Sequence, residues 1–221
     1  MTLRRVADGP DGRAAAIEAL RAGGVVAVPT DTVYGIGVWL ETPGGIERLF
    51  AAKSRPPDKA IALLLADLDQ AAEIGELTPA ARALAAAFWP GGLTLVVPRR
   101  IDRPLPAALT GGDLAPGAIP TVGLRVPNHD APRALARALG PLPTTSANRS
   151  GEPEARDADE IERLLGGSID LVLDGGPAGG GPASTVVDVT SEVPRILRPG
   201  AIDDDAISRC LASAALPGVG R

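Results

Sequence analysis

Three cations stand close together in Lys53-Ser54-Arg55-Pro56-Pro57-Asp58-Lys59, between an apolar helical run and the apolar stretch Ile61–Leu65. In a chain of 221 residues with a formal charge of -5, nothing general gathers positive charge there. Two prolines restrict φ and lower the entropy lost in holding the side chains convergent. A planar guanidinium flanked by ammonium groups suits an anion with several oxygens, phosphate or carboxylate, so the ligand class indicated is a nucleotide or an amino acid. A solvated basic turn accounts for the same residues.

Three further segments carry usable side chains. Pro29-Thr30-Asp31-Thr32-Val33-Tyr34-Gly35-Ile36-Gly37 follows an apolar run; its hydroxyls and permissive glycines suit a small polar ligand, or an ordinary turn with local Thr-to-backbone bonds. Thr144-Thr145-Ser146-Ala147-Asn148-Arg149-Ser150-Gly151 reads either as a nest of donors for phosphate oxygens or as a polar loop. Neither a Walker pattern nor a G-x-G-x-x-G after a strand is present. Arg125, in Val122-Gly-Leu-Arg-Val126, sits in an apolar strand where an arginine is rarely buried unless paired. Arg195 and Arg198 differ by an odd number, so a regular strand turns them to opposite faces; the Pro-Gly after Arg198 puts that residue at a strand end and favours it for the cleft.

Composition excludes several chemistries. One histidine, His129, and one cysteine, Cys210, leave triad-type acyl transfer without its usual base and nucleophile, and exclude an internal disulfide. His129, between Asn128 and Asp130, suits a surface turn rather than a metal site. Aromatic residues are 2% of the chain, which leaves little for base stacking. No apolar run is long enough to cross a bilayer and none follows the N-terminus, so a cytoplasmic protein without membrane contact is expected.

The elements that must position these residues follow from periodicity. Residues 13–22 are strong helix formers ended by Gly23-Gly24, and Val25–Val28 reads as a buried strand. Further helices are expected over 44–52, from Thr78-Pro79 to Phe88, from a cap at Asp130 to Leu139, from Asp157 to Leu165 and from Asp203 to about Leu211. Further strands are expected at 61–65, 93–97, 122–126, 171–173, 185–187 and 195–198. Alternating helices and strands predict an α/β fold with a twisted, largely covered sheet. The Gly-rich stretch 175–182 is expected to be a mobile loop, with closure over a site as one use.

Taken in order, Pro29-Thr-Asp-Thr-Val-Tyr-Gly35, Lys53-Ser-Arg-Pro-Pro-Asp-Lys59, Trp89-Pro-Gly-Gly-Leu-Thr94, Gly123-Leu-Arg-Val-Pro127, Ser146-Ala-Asn148, Ser184-Thr-Val-Val-Asp188 and Arg198-Pro-Gly200 closely resemble the YrdC-like family of threonylcarbamoyl-AMP synthases. The resemblance runs from about residue 13 to 202 and implies a single domain over 1–221, a twisted mixed β-sheet with flanking helices and a concave basic cavity, followed by a C-terminal helix and a short tail. Some relatives carry a further C-terminal domain, and this chain looks like the short form.

By position in those motifs, Lys53, Arg55, Thr121, Ser146, Asn148 and Arg198 would contact ATP, with Lys53 and Arg55 as the catalytic cations; Thr32, Lys59, Arg125, Thr144 and Ser184 would hold threonine. Glu154 stands where relatives often place a Ser, so that ATP contact stays unassigned. The implied reaction joins L-threonine, bicarbonate or CO2, and ATP, to give threonylcarbamoyl-AMP and pyrophosphate for tRNA modification by downstream threonylcarbamoyltransferase machinery. Mg²⁺ would be held mainly by the ATP phosphates. The competing readings are a carbamoyl-transfer module and an RNA-binding factor using the same cavity. Replacing Lys53 or Arg55 by Ala is expected to leave folding intact and remove most activity.

Overall fold

Successive residues of a strand face opposite ways, and here both faces of the second strand are apolar. Val25 and Ala27 enter one core cluster, while Val26 and Val28 enter another with Leu20 and Leu135, so helices pack on both sides. The computed structural model describes residues 3–54, 61–109, 118–149, 151–179 and 181–220. Arg55 and Lys59, two of the three expected cations, lie outside the described residues.

The strands are β1 Arg4–Ala7, β2 Val26–Val28, β3 Gly35–Gly37, β4 Ala62–Leu64, β5 Leu93–Pro98, β6 Thr121–Arg125, β7 Leu142–Ser146, β8 Leu171–Asp174, β9 Thr185–Asp188 and β10 Arg195–Arg198. The helices are α1 Pro10–Arg21, α2 Gly45–Lys53, α3 Leu68–Ile74, α4 Pro79–Phe88, α5 Asp130–Leu139, α6 Ala158–Leu165 and α7 Asp204–Ser213. The described strands form one mixed sheet in the order β1-β8-β2-β3-β7-β4-β6-β5-β9-β10. Among the described strands, four neighbouring pairs are parallel (β1 with β8, β2 with β8, β4 with β6, β5 with β9) and the other five are antiparallel.

Helix starts follow the expected capping chemistry in three places. Thr78, Asp157 and Asp203 accept from the amides of Ala81, Glu160 and Asp205. At α5 the cap is His129 instead of Asp130: its Nδ1 accepts from the Ala131 amide at 3.2 Å, and Asp130 is the first helical residue. Helix α1 begins at Pro10, ahead of the expected start, because proline is tolerated where no intrahelical donor is needed.

Three strands escaped the sequence pattern. β1 is short and carries two arginines. β3, Gly-Ile-Gly, reads as loop by propensity, yet lies mid-sheet between β2 and β7. A Cβ at Gly35 would stand 2.7 Å from Thr144 Cγ2, so only glycine lets these backbones pair as they do. β7 turns the expected polar nest at 144–146 into strand. The amides that would have formed that nest are used internally, Ala147 N on Tyr34 O at 2.8 Å and Asn148 N on Ser146 O at 3.1 Å.

The sheet's centre has a large-residue face and a small, polar face. Leu63, Leu93, Leu95, Val97, Val122, Leu124 and Val187 enter the larger core. Between them, Ala62, Thr94, Thr121, Gly123, Arg125, Thr144, Ser146, Ser184 and Val186 line an open cavity on the other side. Registers such as Leu64 opposite Arg125, Val96 opposite Gly123 and Ala62 opposite Thr144 set these positions side by side.

Candidate active site

The cavity has a volume of about 320 Å³ and its floor is the small-residue face of β3, β7, β4, β6, β5 and β9, with Leu197 and Arg198 of β10 at one side. Of the expected site residues, Thr121, Arg125, Thr144, Ser146, Ser184 and Arg198 line it. Thr32, Lys53 and Asn148 are buried behind that lining.

Arg125 is 6% exposed. Its Nε donates to Gly91 O at 3.0 Å, Nη1 to Thr32 Oγ1 at 3.0 Å and Nη2 to Asp31 Oδ1 at 2.7 Å. Burial makes its proton easier to lose, and the Asp31 carboxylate opposes that. The same Asp31 oxygen accepts from the Asn128 amide at 3.1 Å. Thr30 Oγ1 donates to Val33 O at 2.6 Å, so in its 3.1 Å contact with Thr32 the Thr32 hydroxyl must be the donor. Thr32 therefore donates to Thr30 and accepts from Arg125: it fixes the guanidinium from behind. Three of the five guanidinium N–H groups are committed among the described residues, and one on each Nη stays available to a ligand.

The Trp89-Pro90-Gly91-Gly92 turn supplies the third anchor. Trp89 Nε1 donates to Leu93 O at 2.7 Å, and the Gly91 amide to Val126 O at 2.8 Å, which aims Gly91 O at Arg125.

Arg198 has a different setting. Its Nε and Nη2 donate to Ser184 O at 3.2 and 2.8 Å, and Nη2 also to Ser184 Oγ at 3.1 Å; that hydroxyl shares a proton with Thr94 Oγ1 at 2.7 Å. All of these partners are neutral. The parity argument that separated Arg195 from Arg198 does not hold, because β10 bulges between Ile196 and Arg198. Arg195 pairs with Asp188 and Arg198 with Val186, two positions of like parity on β9. Both are exposed, and what separates them is position: Arg198 lines the cavity, whereas Arg195 does not and lies 3.8 Å from Asp188.

Lys53, the last residue of α2, is 2% exposed. Its Nζ lies 2.7 Å from Asn148 Oδ1, 2.9 Å from Ser146 O, 3.0 Å from Ser146 Oγ and 3.2 Å from Thr145 Oγ1, four acceptors that share its three N–H groups. Ser146 Oγ donates to Asn148 Oδ1 at 2.7 Å, and Asn148 Nδ2 to Glu152 O at 2.5 Å. Lys53 thus holds the end of β7 and reaches the cavity through Ser146. Thr144 Oγ1 donates its proton to Leu142 O at 2.9 Å and can offer the cavity acceptor lone pairs and its methyl group, but no donor.

Tyr34 is fully buried, and burial pushes its phenol up to about 12. Its hydroxyl donates to Gly176 O at 2.7 Å and accepts from Gly175 N at 3.0 Å, so the expected ligand contact is replaced by a bond to the root of the Gly-rich stretch. Asp174 Oδ1 accepts from Gly176 N at 2.9 Å and the Ala178 amide donates to Arg156 O at 2.7 Å. The described part of that stretch is tethered by bonds to Tyr34, Asp174 and Arg156, which lie outside it.

Sequence reasoning gave no role to Asp31 or Thr94, and offered the Thr30 hydroxyl to a ligand where it instead bonds Val33 O and Thr32. The requirement that a strand arginine be paired pointed to a carboxylate, and Asp31 lies inside a motif already singled out; nothing in the sequence joined it to Arg125, 94 residues away.

The Sua5/YciO/YrdC family model, described as telomere recombination, matches residues 18–200. A threonylcarbamoyl-AMP synthase of Bacillus subtilis (strain 168) is 37% identical over 190 residues, 85% of this chain and 53% of that protein. A putative threonylcarbamoyl-AMP synthase of Mycobacterium tuberculosis (strain CDC 1551 / Oshkosh) is 37% identical over 201 residues, 90% of this chain and 89% of that protein. The crystal structure of P. abyssi Sua5 complexed with L-threonine superposes with a TM-score of 0.84 at 32% identity, covering 96% of this chain and 61% of that one. The chain therefore spans about half the length of the Bacillus relative and nearly all of the mycobacterial one.

Proposed function

Because the chain belongs to the Sua5/YciO/YrdC family, we propose that its cavity makes L-threonylcarbamoyl-AMP and pyrophosphate from L-threonine, bicarbonate or CO2, and ATP, for modification of tRNA by a downstream transferase. The observation that carries this reading is the pair of arginines in one cavity: Arg125, buried and pinned on three sides, and Arg198, whose partners among the described residues are all neutral. A guanidinium with two spare N–H groups suits a planar carboxylate, and an arginine without a counter-ion suits phosphate.

In the proposed reaction the neutral amine of threonine attacks CO2, a C–N bond forms and one proton leaves to solvent. A carbamate oxygen then attacks the α-phosphorus, and the bond to the β-phosphate oxygen breaks as pyrophosphate departs in line. No covalent enzyme intermediate is required; positioning and charge stabilisation carry the rate. Arg125 would fix the threonine carboxylate, with Thr32 behind it and the Ser184 hydroxyl beside Arg198. Arg198, Thr121 and Ser146 would hold the nucleotide, Lys53 acting through Ser146 and Asn148. Arg55 and Lys59 complete the proposed ATP and threonine sets from motif position.

Mg²⁺ fits this lining as an ion carried in by the nucleotide. Among the described residues, no carboxylate lines the cavity and no group of three or more His, Cys, Asp or Glu could hold a metal, whereas hydroxyls do line it. Bound to the triphosphate, the ion would neutralise charge on the leaving pyrophosphate.

The test is pyrophosphate release by the purified protein with ATP, Mg²⁺ and bicarbonate, with and without L-threonine, the adenylate being identified by mass. Threonine-dependent release is expected. Release that ignores threonine, or none at all beside tight binding of structured RNA, would remove the synthase reading.

A further inference from the structure

The two cavity arginines differ in charge compensation as well as in depth. Asp31 sits 2.7 Å from Arg125 and is itself fixed by the Asn128 amide, so it cannot swing away without breaking a backbone bond. The pair is mostly shielded from water, with side-chain exposures of 8% and 16%. Arg198 has no carboxylate among its described partners. Arg198 also lies near enough for its positive charge to weaken Arg125's hold on its proton. Among the described residues, one end of the cavity is therefore close to neutral and the other carries a cation with no carboxylate partner. Any anion entering near Arg125 meets the field of Asp31 as well, and that opposition grows with each charge the anion brings.

We propose that Asp31 is a specificity-determining positioning residue: by neutralising and orienting Arg125, it makes that end of the cavity accept a monoanionic carboxylate and exclude phosphate, which is left to Arg198. The proposal rests on reading the cavity as a site for an amino acid beside a nucleotide. The orienting part follows from the hydrogen bonds: with Gly91 O, Thr32 Oγ1 and Asp31 Oδ1 each taking one N–H, what remains is one donor on each terminal nitrogen, matched to the two oxygens of a planar carboxylate. The excluding part follows from charge. A carboxylate gains those two bonds and brings one negative charge, whereas phosphate or pyrophosphate brings more charge and a larger hydration cost into a nearly neutral, water-poor site. A further consequence is that product pyrophosphate cannot settle in the amino-acid end.

The experiment is calorimetric binding of L-threonine to the whole chain with and without inorganic phosphate, followed by the same titrations on variants. In the wild type, phosphate is expected to compete with ATP and to leave threonine affinity unchanged; phosphate that displaces threonine overturns the proposal without any variant. In Asp31→Asn, threonine is expected to bind about tenfold more weakly and phosphate to become competitive with it. Thr32→Val removes one anchor of the guanidinium but keeps the carboxylate, so threonine weakens while phosphate stays excluded. A purely structural role for Asp31 would give both variants the same pattern, and that result also overturns the proposal. Should Asp31→Asn fold poorly, Asp31→Glu decides: it keeps the charge and must keep phosphate out. Acetate is the parallel probe. Binding of acetate but not of threonine removes the synthase reading and leaves the Asp31 proposal to the same phosphate competition; binding of neither removes both.

Discussion

Lys53 shows how burial changes the meaning of a motif residue. A lysine beside an arginine and two prolines suggests an ammonium offered to a ligand, but here it is 2% exposed and donates to Asn148, Ser146 and Thr145. Removing it leaves buried acceptors without a donor, which costs more than the bonds were worth. Lys53→Ala is therefore expected to lower folding stability by about 2–3 kcal/mol, measured by urea unfolding, in addition to reducing turnover. This revises the expectation that folding would be untouched, and an unchanged urea midpoint would mean that the Lys53 contacts add little to stability. Tyr34 gives a second test at this scale. The chain has a single tyrosine, so phenolate absorbance reports that residue alone. Its phenol is raised by burial from 10.0 to about 12 in the folded protein, which means the folded state holds the proton more tightly than the unfolded one. The stability this contributes is complete below pH 10 and is lost as pH rises through the window from 10 to 12. Absorbance should show a native titration near the top of that window, and Tyr34→Phe should flatten the decline of stability across it.

Among elements, β3 is the one on which the cavity depends most. Its glycines let β2 and β7 close around a strand with almost no side chains, and this leaves room above Ser146 and Thr144. Gly35→Ala drives a methyl group to 2.7 Å from Thr144 Cγ2, within a sheet whose neighbours are buried. The expected outcome is a loss of about 1–3 kcal/mol in thermal or urea unfolding, together with weaker binding of any cavity ligand; a variant as stable as the wild type would mean that β3 and β7 can separate at little cost. The β10 bulge acts at the opposite side of the cavity. By displacing one residue it breaks strand alternation and leaves Arg198 bonded to Ser184, while Leu197 also faces the cavity. Neither device follows from propensity, because glycine is a poor strand former and a bulge has no sequence period.

For the whole molecule, the division of the sheet into an apolar core face and a small polar face separates stability from binding. The larger core is built mostly from Leu, Ile, Val and Ala, with Tyr34 and Phe50, contributed by the sheet and by α2, α3, α4, α6 and α7. Chelation of divalent metal is accordingly expected to abolish pyrophosphate release while leaving the melting temperature of the ligand-free protein and its affinity for L-threonine unchanged. A fall in melting temperature on chelation would point to a metal held by the protein itself. No helix among the described residues is long and apolar enough to cross a membrane.

Local chemistry in the chain was enough to give the α/β class, most helices with their caps at Thr78, Asp157 and Asp203, and the apolar strands Leu93–Pro98 and Thr121–Arg125, because capping and periodicity act over a few residues. The ordered motifs likewise led to the family and to six of the residues that line the cavity. Pairing across the sheet was not legible. Asp31 meets Arg125, Lys53 meets Ser146 and Asn148, and Tyr34 meets Gly175 and Gly176 only because a ten-stranded order brings distant segments together. Those contacts decide which cation is open to a ligand and which is enclosed. Charge and hydrogen-bond capacity belong to residue type, whereas desolvation and the choice of partner belong to the fold.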